Sequence, residues 1–183
     1  MRVINPDHIQ SADYALFGEM PSTATGDDVL HSYVMERGGK FARLDIRSDK
    51  EGRFEVMGSL VPERPVEIGV VTWIPIVAAP DKSKAFEQFC EQGPSRVLAT
   101  EPETLLWFSL KDKSNAGKYA IIDLYRDESG LQAHNVGEVA ANLKANSPDL
   151  VFGGWKAVVS GASVYAVTAQ RSDDRTQAFG TQT

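Results

Sequence analysis

The chain has 183 residues, 42% hydrophobic and 24% charged, with a net charge of −6, which suits a soluble globular unit with a core of useful size. Such an acidic surface repels nucleic-acid phosphates and anionic membranes, so neither is expected as a partner. A lone cysteine, Cys90, excludes an internal disulfide and a thiolate metal cluster, and the lack of a long apolar run points to a cytoplasmic protein without a membrane span.

Residues 1–26 read as irregular. The stretch TATGDDVLHSYVMERGG predicts a helix over 27–37, with Thr25 as N-cap, Val29, Leu30, Tyr33 and Val34 as its apolar face, and Gly38-Gly39 as its stop. KFARLDIR and FEVMGSLV, joined by SDKEGR, predict a hairpin. VPERPVE is a proline-rich break and the candidate linker. No internal repeat is evident. The expected organisation is an N-terminal extension (1–66, helix plus hairpin), a domain over 67–169 and a polar tail over 170–183.

After Glu67 the signals are sharper. IGVVTWIPIVA is rich in β-branched residues and predicts a buried strand, with Pro75 marking a bulge or the end of pairing. Asp81 starts a helix whose face carries Ala85, Phe86, Phe89 and Cys90. Gly93-Pro94 breaks it, and PSRVLAT adds a turn. TLLWFSLKD and KYAIIDLYR predict strands around the turn KSNAG. ESGLQAHNVGEVAANLKAN is helical in two pieces joined near Gly137, and VVSGASVYAVTAQ predicts a last strand. The order β-α-β-β-α-β is the split pattern of a ferredoxin-like α+β fold.

Several residues of this half form a wider pattern. Glu101-Pro102 opens one strand, Trp107 lies within it, and Asp123 and Tyr125 lie in the next. Asp127-Glu128 then leads into a helix ending in Ala133-His134. Over about 68–169 the chain thereby resembles the antibiotic biosynthesis monooxygenase domain. That resemblance implies a homodimer in which two sheets face each other as a dimeric α+β barrel, with a pocket between each sheet and its own helices. It also implies oxygenation without metal or flavin. The histidines, His8, His31 and His134, show no ligand spacing, and no glycine-rich nucleotide loop follows a strand.

Oxygenation without a cofactor needs an electron-rich aromatic such as a quinol, phenol or anthrone, a general base, and an aromatic pocket poor in water. His134 is the expected base, because its reference pKa lies near neutrality. Asp123 is the second catalytic candidate, orienting His134 or acting alone if burial raises its pKa. Trp107, Phe108, Tyr119, Tyr125 and Trp73 are the expected substrate-binding residues. Tyr119 and Tyr125 share a strand face with Asp123 by the two-residue period. Trp107 is expected opposite Ile121 or Ile122, which put it on opposite faces. Each residue also has a plainer role open to it: His134 bonded to a carbonyl, Asp123 paired with Arg126 or Lys118, the tryptophans as core. The expected function is a monooxygenase using O2 on a small aromatic substrate. The alternative is a non-catalytic small-molecule-binding or dimerisation module. Haem degradation is disfavoured, because the haem-degrading relatives carry a second histidine where this chain has a residue near Lys144.

Overall fold

The structure is a computed structural model that describes residues 2–4 and 8–172. Its second half runs β6 (Val70–Val77), α1 (Ser83–Glu91), α2 (Gly93–Thr100), β7 (Thr104–Asp112), β8 (Lys118–Tyr125), α3 (Glu128–Asn135), α4 (Glu138–Leu150), α5 (Gly154–Gly161) and β9 (Ser163–Ser172). The strands pair antiparallel in the order β9-β6-β8-β7. Pairing of β6 with β9 stops at Trp73, so Pro75 removes no ladder bond on that side.

The first half consists of strands alone among the described residues: β1 (Arg2–Ile4), β2 (Ser11–Phe17), β3 (Val29–Arg37), β4 (Lys40–Arg47) and β5 (Phe54–Pro62). The last four pair antiparallel in the order β5-β2-β4-β3. This is the strand order of the second half, with first, second, third and fourth strands in corresponding places. Where the second half crosses over through helices, the first half uses the loops 18–28 and 48–53.

The two sheets join at both margins. β3 pairs with β9, and β5 pairs with β7. Leaving out β1, which adds to the outer side of β5, the remaining eight strands close into a barrel within one chain. Its interior is a core to which both sheets contribute, including Tyr33, Leu44 and Ile46 from one and Phe108, Leu110, Ile122 and Leu124 from the other. A second core, with Ile74, Phe86, Trp107, Ile121 and Leu143, lies between the second sheet and its helices. Alternation along β8 serves both: Ala120, Ile122 and Leu124 point inward, and Tyr119 and Ile121 point to the helices.

Several expectations need correction. The helix over 27–37 is strand β3. Every residue from Val29 to Met35 is buried, because the barrel core covers one face and loop 18–28 the other. Burial on both faces erases the period of two and leaves apolar spacings that imitate a helix. Gly38 and Gly39 do not stop a helix. With φ of +59° and +77° they form the two-residue turn of a hairpin that pairs Arg37 with Lys40. β4 therefore pairs with β3 and β2, and the expected hairpin with β5 does not form. SADYALF, read as irregular, is strand β2. Asp81 sits in a turn at φ +62°, and the helix begins at Ser83. Residues 158–161 of the expected last strand belong to helix α5. Of the tail expected over 170–183, residues 170–172 belong to β9 and 173–183 lie outside the described residues.

The apolar sheet face expected to require a second chain is covered by the chain's own first sheet. The barrel expected from a homodimer is thus built by a single chain. The halves also share a sequence. GKFARLDI (39–46) and GKYAIIDL (117–124) occupy equivalent positions, and Gly39 and Gly117 hold φ of +77° and +78°.

Candidate functional site

Asp123 lies mid-strand in β8, opposite Thr72 of β6 and Trp107 of β7. A register shift between Thr104 and Leu106 brings Trp107 opposite Asp123, where Ile121 or Ile122 was expected. All three side chains are buried under the helices. The Asp123 carboxylate oxygens and the Trp107 indole nitrogen have no hydrogen-bond partner among the described residues, while the Thr72 and Tyr125 hydroxyls beside them interact with each other. A buried polar atom without a partner costs about 1–3 kcal/mol, and a carboxylate costs more. Such atoms side by side mark a place kept for something other than stability.

His134 is brought there by α3. The Asp127 side chain caps that helix, accepting from the backbone N–H groups of Ser129 (2.9 Å) and Gly130 (3.3 Å). Gly130 packs close against Tyr125, where an added Cβ would meet the Tyr125 Cβ at 3.2 Å. The last turn of α3 then carries His134 inward, with its ring centroid 5.6 Å from that of Tyr125. A helix C-terminus itself favours an imidazolium.

Glu101 completes the cluster. It is the C-cap residue of α2, and its backbone (φ −129°, ψ 77°) lies outside the α region, which Pro102 disfavours in a preceding residue. Its Oε2 accepts from His134 Nδ1 at 2.5 Å and from the Thr104 hydroxyl at 3.1 Å. Its Oε1 accepts from the Val139 backbone N–H at 3.0 Å. The N-cap of α4 is Gly137, which has no side chain to offer, so Glu101 caps that helix from a distance. Gly137 also leaves the room this needs, since an added Cβ would lie 2.5 Å from Glu101 Oε1.

With Nδ1 held by Glu101, His134 presents Nε2 to Asp123 Oδ2 at 3.9 Å. Burial alone would disfavour the imidazolium. The charge of Asp123 and the bond to Glu101 outweigh it and raise the His134 pKa to about 9. Burial, reinforced by Glu101 and opposed by His134, raises the Asp123 pKa to about 6. Burial acts against the Glu101 carboxylate too, but His134, Val139 and Thr104 hold its pKa below the usual value. At neutral pH the cluster is carboxylate, imidazolium and a largely ionised second carboxylate. The raised pKa of His134 favours its imidazolium form at neutral pH.

Asp123, His134 and Trp107 line a cavity with Phe89, Arg96 and Leu143. It encloses about 30 Å³. That is room for a water or two, well below the ~150 Å³ of an apolar cavity that admits benzene. Gly93 makes room for the outer edge of the Trp107 ring at the start of α2, since a Cβ there would approach the ring to 2.3 Å. Of the expected binding residues, Trp107 lines this cavity and Tyr125 flanks His134. The other three do not converge here. Phe108 points into the barrel core. Trp73 also faces the barrel, stacked on Tyr14 at 3.9 Å. Tyr119 lies two positions along β8 from Ile121, and its hydroxyl donates to Glu87 at 2.8 Å.

No family model matches the chain, and no curated protein matches it with significance. Solved structures do. A ferredoxin-fold protein related to antibiotic biosynthesis monooxygenases from Listeria monocytogenes is similar at 13% identity and a TM-score of 0.62, covering 88% of this chain and 96% of its own. A monooxygenase-like protein from Listeria innocua has 12% identity and a TM-score of 0.58, over 86% of this chain and 94% of its own. A haem-degrading enzyme from Listeria monocytogenes has 13% identity and a TM-score of 0.55, over 85% and 97%. These likenesses establish an α+β fold shared with such proteins. Among the described residues no helix is long and apolar enough to cross a membrane.

Glu101 was visible in the sequence only as the acidic partner of a proline. Its link to His134 spans 33 residues, and no local spacing signals it. Thr72 and Arg96 carried no signal at all.

Proposed function

We propose that the chain is a monooxygenase of the cofactor-independent kind, acting on a quinol-, phenol- or anthrone-like aromatic. The observation that carries this reading is the Asp123 carboxylate, which no described residue hydrogen-bonds, facing a cavity beside the Glu101-held His134. Its pKa of about 6 leaves it ionised near neutrality yet basic enough to take a proton from an acidic C–H or O–H. His134, kept protonated, donates from Nε2 to the oxyanion that forms. Trp107 and Phe89 supply the aromatic walls. The substrate anion gives one electron to O2, and the two radicals combine to a peroxide. Loss of water from the peroxide leaves a carbonyl, so that CH2 plus O2 becomes C=O plus H2O. The substrate provides all the electrons. Entry of a ring requires Phe89 and Arg96 at the outer end of the cavity to move aside. The dimerisation alternative loses its motive, because the sheet face it would bury is already covered.

The test is O2 uptake by metal-stripped protein with a panel of hydroquinones and anthrones. Uptake is expected in the wild type and about a hundredfold lower in Asp123→Asn and His134→Gln. Equal uptake by both variants and the wild type would sink the assignment.

A further inference from the structure

Arg96 stands at the solvent side of the cavity that holds Asp123 and His134 at its buried end. One of its terminal nitrogens donates to Asn142 Oδ1 of α4 and the other to Gln92 Oε1 at 2.7 Å. Its guanidinium lies over the Phe89 ring, 5.4 Å from the centroid. The group therefore bars the cavity mouth from α2 to α4, and both its acceptors are neutral amides. Among the described residues no carboxylate stands within ion-pair distance of it. Arg53, which lines another cavity, is by contrast paired with Asp112 at 2.7 Å.

A guanidinium presents a planar fork of donors that fits a carboxylate in two parallel bonds. Charge-assisted bonds of that kind are about twice as strong as bonds to neutral oxygens. Exchanging Asn142 and Gln92 for an anion is therefore favourable, and it releases the bar. The buried end already holds two carboxylates, so a second anionic group of a ligand has its favourable place only at the mouth.

Resting on the oxygenase reading of this site, we propose that its substrate is an aromatic carrying a carboxylate, which Arg96 binds while the ring hydroxyl faces His134 and Asp123. Arg96 is then the specificity-determining residue of the site, and the aromatic ring spans the space between Phe89 and Trp107.

The experiment is calorimetric binding without turnover, under argon, with hydroquinone and gentisate, which is hydroquinone bearing one carboxylate. Wild-type protein is expected to bind gentisate about tenfold or more tightly than hydroquinone. Arg96→Gln is expected to abolish that preference. Arg96→Lys, which keeps the charge and loses the fork, is expected to retain a part of it. No preference in the wild type, an unchanged preference in Arg96→Gln, or binding of neither compound overturns the proposal. A preference that depends on Arg96 with no O2 uptake from either compound would instead overturn the oxygenase reading and leave anion recognition standing. Uptake from hydroquinone with no preference for gentisate would do the reverse.

Discussion

Asp45 and Asp123 occupy the same position in two sheets of the same strand order, and only Asp45 is hydrogen-bonded, Asp123 having His134 Nε2 at 3.9 Å as its one charged neighbour among the described residues. Asp45 accepts from the Ser32 hydroxyl at 2.6 Å and from Arg43 at 2.9 Å. Loop 18–28 closes over it, with the Ala24 backbone N–H donating to Ser32. Asp123 faces Trp107 where Asp45 faces Ser32, and Ile121 where Asp45 has Arg43. One copy has turned its buried acid into a structural tie under a short loop. The other keeps its acid bare, under helices that bring a histidine and a second acid. The contrast separates what this fold needs of an acid there from what a site needs.

The bare carboxylate costs stability, so removing its charge should return some. The folded-state pKa of Asp123 is raised to about 6, above the ordinary value of an aspartate. The stability linked to its proton is complete below the unfolded value, near pH 4, and is lost as the pH rises through 6. Asp123→Asn is expected to unfold at higher urea than the wild type at pH 8, by about 1–3 kcal/mol, with the difference shrinking toward pH 4.5. A variant less stable than the wild type at pH 8 would mean that the carboxylate is structurally paired after all.

His134 behaves in the same sense over a higher range. Its folded-state pKa of about 9 exceeds the unfolded value of 6.5. Its contribution is complete below pH 6.5 and lost as the pH rises through 9. With Asp123 as base and His134 as acid, kcat/KM is expected to be bell-shaped, with limbs near pH 6 and 9. NMR titration of the His134 ring should give the upper value directly. In Asp123→Asn it should fall, because the charge that raises it is gone. An upper limb unmoved by that substitution would refute the coupling.

Much of the second half could be read from its sequence, because β-branched runs and helical periods there are each buried on a definable face. The first half could not, and β3 shows why. With Val29 to Met35 buried throughout, no polar face remains to mark a strand. The pair GKFARLDI and GKYAIIDL was present to be read, yet the intervening segments differ too much in length to suggest a repeat. At the site, Asp123 and His134 were legible as an acid in an apolar strand and a histidine on an inner helical face. Glu101 was not, because its role depends on α4 beginning beside it. The register of Trp107 depends on a bulge that no residue of β7 announces.

Gly137 offers a test of Glu101 that leaves every polar group of the site in place. Its φ of −82° is open to any residue, so Gly137→Ala adds no backbone strain. The added methyl would lie 2.5 Å from Glu101 Oε1 and push it off the Val139 N–H. A loss of about 1–2 kcal/mol is expected from the lost cap, together with a lower His134 pKa as Oε2 withdraws from Nδ1. A destabilised variant with an unshifted His134 titration would confine Glu101 to capping.

Closure of the barrel within one chain predicts the solution state. The inner face of the second sheet carries Val71, Leu106, Phe108, Leu110, Ile122 and Leu124, all at most 1% exposed because the first sheet lies against them. Burial of such side chains stabilises by about 1.5–3 kcal/mol each, and a second chain could add nothing on that face. Light scattering is expected to give a monomer near 20.0 kDa. A chain that begins at Glu67 lacks the covering sheet and bares the whole face. Such a patch is expected to pair with a second copy or to aggregate. The two measurements check each other. A soluble, monomeric fragment would mean that the first sheet is not what holds the inner face. A full-length dimer that persists on dilution would locate an interface elsewhere, on the outside of the barrel.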